Sequence, residues 1–293
     1  MDLQTLLQQM INGITLGSTY ALIALGYTMV YGIIKLINFA HGDVYMIGAF
    51  VGLAMVVMGA NIWLAIFVAM IACLCVAVTI ERVAYRPLRG SIRLAPLISS
   101  IGVSIFLQTL MTLMKGPQPV GFPKVITNTI YTVGLVKIST VQIVILVVAA
   151  VLMIGLQLII KRTKMGKAMR ATSEDLHTAS LMGINVNAVI SFTFALGAVL
   201  AAAGGVLVGM YFNSVFPLMG VMAGLKAFCA AVVGGIGSVP GAVLGGLFLG
   251  VAEVLGVAMG LGSYRDAIAF GLLILVLLFR PSGLLGQPEQ RKV

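Results

Sequence analysis

Long apolar runs separated by short polar breaks make up nearly the whole chain. Runs at residues 10–34, 44–59, 62–80, 95–114, 141–160, 188–211, 221–235 and 242–259, with a last one ending at Phe279, are apolar through most of their length. A helix needs about 20 apolar residues to cross the roughly 30 Å hydrocarbon core of a bilayer. The pattern therefore predicts an all-α membrane protein, a polytopic bundle of about eight transmembrane spans, some of them too short to be complete. No polar stretch between the runs could form a soluble domain, so residues 1–293 are expected to be a single transmembrane domain. The opening, MDLQTLLQQM, has no Lys or Arg and no small-residue cleavage pattern. The first run is expected to remain as a span.

Composition agrees with the pattern. Hydrophobic residues are 60% of the chain and charged residues 9%, against roughly 25% charge in soluble domains, and the mean hydropathy is +1.13. A water-soluble fold is excluded. The net charge of +10 reads as membrane topology: Arg82, Arg86, Arg89 and Arg93 follow the third run, Lys161, Arg162, Lys164, Lys167 and Arg170 follow the fifth, and Arg280, Arg291 and Lys292 close the chain. Such segments stay on the cytoplasmic side. They lack the interleaved aromatics that single-stranded nucleic acid needs, so no nucleic-acid partner is expected. Cys73, Cys75 and Cys229 sit inside apolar runs, away from any C-x-x-C pattern, and read as small buried hydrophobes.

With the basic segments inside, the pair of runs at 95–114 and 141–160 closes the count between the first two. Residues 115–140, rich in Pro and Thr, then lie outside together with the amino terminus. From residue 188 to a cytoplasmic carboxyl terminus an odd number of crossings is expected, so that either 221–259 is one hairpin or one of its halves only dips into the membrane. Two stretches differ from ordinary spans. LINFAHG at 36–42 places Asn38 and His41, then Asp43, inside apolar surroundings, and GGIGSVPGAVLGG at 234–246 breaks the late block with Gly and Pro240. Freed backbone groups cost several kcal/mol each if they face lipid, so such breaks are buried in protein or line a watery cavity. Paired breaks in the two halves of a chain point to a transport route; tight turns at a membrane surface are the alternative for both.

Residues 161–187 form the longest basic loop. Within it residues 174–182 predict a short amphipathic helix with Leu176, Ala179 and Met182 on one face and Glu174, Asp175 and His177 elsewhere, stopping at Gly183. A helix lying across one face of a membrane protein offers a surface for a soluble partner, and a merely solvated loop is the competing reading.

Five segments carry a resemblance: INFAHG at 37–42, ERVAYRPLR at 81–89, GKAMRATSEDLHTASLMGIN at 166–185, LKAFCAAVVGGIGSVPGAVLGG at 225–246 and LLFRPSGLLG at 277–286. In order along nearly the whole chain, they resemble the permeases of branched-chain amino acid ATP-binding-cassette importers, most closely the smaller of that system's two permeases. The resemblance implies a permease fold with discontinuous helices and import of leucine, isoleucine and valine. It implies a second homologous permease, two ATPase subunits that hold ATP and Mg, and a periplasmic substrate-binding protein, all at a bacterial inner membrane. It also implies that residues 170–185 correspond to the coupling helix that docks on the ATPase, with Arg170, Glu174, Asp175, Ala179 and Gly183 at that surface. Ala179 and Gly183 match the A-x-x-x-G core of the docking motif, whereas the usual opening glutamate has no counterpart at His177. Asn38, Phe39, His41, Gly42 and Asp43 with Gly234, Gly235, Gly237 and Pro240 would belong to the substrate route.

No G-x-x-x-x-G-K-[ST] loop, G-x-S-x-G elbow, metal cluster or working carboxylate pair occurs in the sequence, so the chain is expected to be no enzyme and to hold no cofactor or metal. Asp43 and His41 remain open between a route through the membrane and a surface turn in which Asp43 is an N-cap. Glu253, inside an apolar run, must face the bundle interior, and Lys226 is its expected partner in a structural ion pair. Rival readings keep the importer with urea, a short amide or another amino acid as cargo, or make the chain an ion-coupled secondary transporter. Against the latter stands the scarcity of interior carboxylates.

Overall fold

The computed structural model describes residues 2–92 and 94–286; Arg93, Arg291 and Lys292 of the basic segments lie outside the described residues. Among the described residues the chain forms α1 (Leu3–Ile34), α2 (His41–Val57), α3 (Ile62–Ile80), α4 (Leu94–Lys115), β1 (Val120–Gly121), β2 (Ile130–Val133), β3 (Val136–Ser139), α5 (Thr140–Arg162), α6 (Lys164–Glu174), α7 (Leu176–Leu181), α8 (Val186–Phe212), β4 (Ser214–Val215), α9 (Met219–Gly234), α10 (Val239–Ala258) and α11 (Arg265–Phe279). Seven segments are long and apolar enough to cross a membrane. Helices α2 and α9 are apolar but shorter, at 17 and 16 residues. Each apolar run of the sequence reappears as a helix. The largest displacement is at the amino terminus, where α1 begins at Leu3.

Between helices in lipid there is little hydrophobic drive, so close packing of small residues holds them together. Helices α1 and α10 run antiparallel at backbone contact: a Cβ on Gly13, Gly17 or Gly246 would lie within 2.7 Å of the Cα of Val251, Leu247 or Ala21. Helices α2 and α8 run parallel, with Gly48 against Ala202 and Gly52 against Val206. These helices form the core. The outward faces of α4, α5 and α11 are apolar and exposed, as at Ile105, Phe106, Val151, Ile154, Ile274 and Leu278, the surface expected of helices that meet lipid or another chain. Cys75 is exposed on α3, unlike the buried Cys73 and Cys229, because successive odd positions of a helix turn to different faces.

Helices α8 to α11 alternate in direction. Gly26 of α1 meets Gly197 and Thr19 meets Gly204, so α8 opposes α1; Gly234 meets Gly241 in the α9–α10 turn; and the segment after α11 returns to Val233 and Gly234 of α9. Four alternating helices begin and end at one side. This corrects the odd count expected from the sequence, since a stretch with both ends at the basic side requires an even number. At that basic end, α3 continues as a π-helical turn over Glu81–Tyr85 and a 3-10 turn over Arg86–Leu88. At the opposite end residues 115–140, expected outside, contain the antiparallel hairpin β2–β3, turning at Gly134 with φ 60°, while β1 pairs with β4. Gln8 fastens the hairpin to α1 by hydrogen bonds to and from the backbone of Lys137.

Candidate functional site

The first break begins where Lys35, in the left-handed region at φ 53°, ends α1; residues 35–40 are non-helical and α2 starts at His41. Three neighbours fix its depth. Gln108 Nε2 donates to Asp43 Oδ1 at 3.1 Å, and Gln108 stands about 10 Å before the end of α4 at 1.5 Å per residue. The His41 ring lies against Gly26, about 12 Å before the end of α1, and Gly197, about 16 Å into α8. The start of α2 at His41 and Asp43 is therefore inside the span, while Ile37, whose carbonyl accepts from the Tyr85 hydroxyl at 3.3 Å, lies toward the basic end. Ala40, not Asp43, occupies the N-cap position and offers no side-chain cap, so the surface-turn reading of Asp43 does not hold.

Within the break the groups are close-packed. Asn38, His41 and Asp43 are almost wholly buried, and a Cβ on Gly42 would meet the Gly220 carbonyl oxygen at 2.3 Å. The His41 ring packs edge-on against Tyr27 at 4.8 Å, and Tyr27 packs against Phe228 of α9 at 5.9 Å. His41 Nε2, Asn38 Oδ1 and Thr28 Oγ1 have no hydrogen-bond partner among the described residues. An unsatisfied buried polar group costs about 1–3 kcal/mol, so the unmet groups of Asn38 and His41 mark the segment as more than a connection. Phe39 is half-buried.

The second break differs in place. Residues 235–238 join α9 to α10 at the basic end, where Leu284 and Leu285 donate backbone hydrogen bonds to Val233 and Gly234. Gly234 abuts the Gly241 backbone and Gly235, at φ 108°, abuts Gly286, whereas Gly237 and Pro240 are exposed. Gly234 and Gly235 thus serve close helix and tail packing inside this chain. The two breaks are joined by a narrow crevice lined by Tyr27, Tyr31, Ile37, Phe228, Ala231 and Ile236, with no room in this conformation for a water-sized molecule.

The basic segment after α5 is helical rather than a loop. Thr163 accepts from Gly166 N at 3.0 Å to start α6, and Asp175 accepts from Thr178 N at 2.6 Å to start α7. The single amphipathic helix expected over 174–182 is therefore split: Asp175 accepts from the N–H of Thr178, the third residue of the new helix, and ends the old one, leaving Glu174 at the end of α6. Ala179 turns inward and is 4% exposed, whereas Leu181 and Met182 are 74% and 79% exposed. The outward apolar surface is thus Leu176, Leu181 and Met182, and Ala179 is corrected from a contact residue to a packing residue. Gly183, at φ 81°, is exposed with open space around it. Arg170 donates to the Ile160 carbonyl and so caps α5.

Two charged clusters complete the picture. Lys226 Nζ donates to Glu253 Oε1 at 2.8 Å, the expected pair; Tyr20 donates to Glu253 Oε2 at 2.9 Å, Arg265 also binds Glu253, and Lys226 bridges to Asp266 at 2.7 Å. Two acids and two cations balance and tie α1, α9, α10 and α11 together. At the basic end, buried Glu81 accepts from Arg89 and, at 2.6 Å, from Ser191, and Arg89 donates to Asn187 at 2.8 Å. Sequence reasoning used Arg89 only as a topology marker; the buried acid at the head of ERVAYRPLR was the signal for this clamp. It fixes the start of α8, directly after α7.

Residues 9–277 match the family described as branched-chain amino acid transport system / permease component. The chain is 51% identical over 300 residues to the high-affinity branched-chain amino acid transport system permease protein BraD of Pseudomonas aeruginosa, covering 98% of each. It is 52% identical to the corresponding protein LivH of Salmonella typhimurium, covering 98% of this chain and 97% of that one. Among solved structures, PsaBC from Streptococcus pneumoniae in complex with Fab aligns with a TM-score of 0.53 at 18% identity, over 94% of this chain and 92% of that chain, a likeness of fold. With whole-length identity at this level and a helical bundle to match, the chain belongs to the branched-chain amino acid transport system permease family.

Proposed function

We infer that this chain is the membrane-spanning permease of an ATP-driven importer and carries leucine, isoleucine and valine into the cell. The observation that carries the reading is identity of 51–52% to permeases of that cargo over nearly the entire chain. The fold supports it with a buried polar break at mid-depth and an exposed apolar helix at the basic end. In this reading the amino terminus is periplasmic and the basic end is cytoplasmic in a bacterial inner membrane. Substrate passes between this chain and a second homologous permease, delivered by a periplasmic binding protein. Two ATPase subunits dock at α7 and hold ATP and Mg, this chain having no nucleotide loop of its own.

In this mechanism α7 receives the movement of the ATPase and passes it directly to α8, which it touches and precedes, while the Glu81–Arg89–Asn187 clamp ties the start of α8 to the end of α3. Helix α8 carries Gly197 against the His41 ring, so displacement of α8 bears on the first break. Asn38 and His41, with unmet hydrogen-bonding groups, are the route's polar side chains when the crevice opens. The test is to tag the carboxyl terminus, solubilise membranes mildly and identify the retained proteins, then measure leucine uptake by the reconstituted assembly with its binding protein. Retention of a second permease and ATPase chains with ATP-dependent leucine uptake is expected. Isolation of this chain alone, transporting on an ion gradient, would overturn the reading.

A further inference from the structure

We propose that the hairpin end of this chain holds a binding site for the carboxylate of a free aliphatic amino acid, in a cavity between residues 124–128, the start of α5 and the end of α8. The cavity has a volume of about 340 Å³ and combines Lys124, Asn128 and Asn213 with the apolar Ile126, Val141 and Met210. That volume is at the small end of ligand sites, and the mixture suits a zwitterion with an aliphatic side chain: a cation and amides for the polar end, methyl groups for the other.

Charge points the same way. The sequence has no Asp or Glu between Glu81 and Glu174, no acid lines the cavity, and Lys124 enters none of the ion pairs among the described residues. The amino-terminal turn of α5 adds only its positive dipole end beside Val141, because the Thr140 and Gln142 N–H groups are already bonded to Thr129 O and Ser139 Oγ. The walls are fixed before any ligand arrives. Gln142 accepts from Ser139 N at 2.9 Å and donates to Asn12 at 2.9 Å, while Asn213 O accepts from Phe122 N at 3.0 Å. Preorganised walls spare a ligand the cost of ordering them.

The class of ligand rests on the importer reading; the cavity and its unbalanced charge do not. To test the site, Val125→Cys, at a lining position that contributes none of the polar groups, is placed in a Cys75→Ala background, the other two cysteines being buried. Its reaction with a small neutral thiol reagent is followed in proteoliposomes of the assembled transporter. Millimolar L-leucine is expected to slow labelling several-fold, L-leucinamide, which lacks the carboxylate, to leave it unchanged, and Lys124→Gln to abolish the protection. Equal labelling with and without leucine, in liposomes that import leucine, overturns the site and leaves the importer reading standing. Labelling that ignores leucine and instead follows phosphatidylglycerol content assigns the cavity to a lipid phosphate and also overturns it. Leucine protection in an assembly that imports no leucine would keep the site and fault the importer reading.

Discussion

The Nε2 atom of His41 lies 2.2 Å from the position that a Cβ on Gly26 would occupy. The imidazole fills a notch that α1 leaves open by having no side chain there, and Gly197 of α8 forms the other wall, with a built Cβ 3.4 Å from His41 Cε1. Helices α1, α2 and α8 are thus keyed together at mid-depth by one ring and two glycines.

Gly26→Ala is expected to lower stability by about 1–3 kcal/mol, the usual cost of overpacking, and to impair uptake. Adding His41→Ala should return part of the loss, because contacting residues are not additive. Thermal unfolding of the purified assembly gives both values; a Gly26→Ala protein as stable as its parent would count against the notch.

Cysteines at Asn38 and His41 should label slowly with a water-soluble thiol reagent in the resting state, since both positions are buried inside the bundle. Nucleotide should change their rate if the crevice opens during transport. A cysteine at Leu181, which is exposed, supplies the fast reference. Rates equal to that reference in every state would place the break at the surface.

Glu253→Ala leaves Lys226 and Arg265 without their shared carboxylate inside the bundle. Breaking a buried pair from one side costs roughly 3–5 kcal/mol, whereas replacing both partners with apolar groups is often near neutral. Unfolding of Glu253→Ala against the double variant Glu253→Met with Lys226→Met should therefore favour the double variant. A double variant worse than the single would show that Arg265 and Asp266 need the pair more than the pair needs itself.

Leu181→Asp places a charge on the exposed apolar end of α7 and should abolish uptake and transport-coupled ATP hydrolysis with normal membrane insertion. Gly183→Arg is expected to do the same, with added strain of roughly 1–2 kcal/mol because its φ of 81° is left-handed. Ala179→Leu should instead reduce the amount of folded protein, since that side chain points inward. Full coupling in Leu181→Asp would move the docking surface away from α7.

Much of the bundle could be read directly because its signals are local. Runs such as 62–80 and 141–160 announce helices by length and apolarity alone, and the expected pairing of Glu253 with Lys226 followed from the cost of any lone charge in lipid. The split at Asp175 was less visible: a residue that suits either the interior face of one helix or the cap of the next is decided by which N–H it reaches. The β2–β3 hairpin was concealed by its Pro- and Thr-rich flanks.

The sequence by itself determined that the chain lives in a membrane, how many apolar segments it has, which loops are basic and which family it resembles. Those properties are sums over residues or motifs contiguous along the chain. Only the tertiary structure decided that His41 and Asp43 lie at mid-depth, that Ala179 faces inward while Leu181 faces out, and that Arg265, Asp266 and Tyr20 join Glu253. Depth, facing and partnership depend on which helices pack side by side. In lipid that choice is made by close fit between small residues far apart in sequence, such as Gly26 with Gly197 and Gly42 with Gly220, and no linear pattern records it.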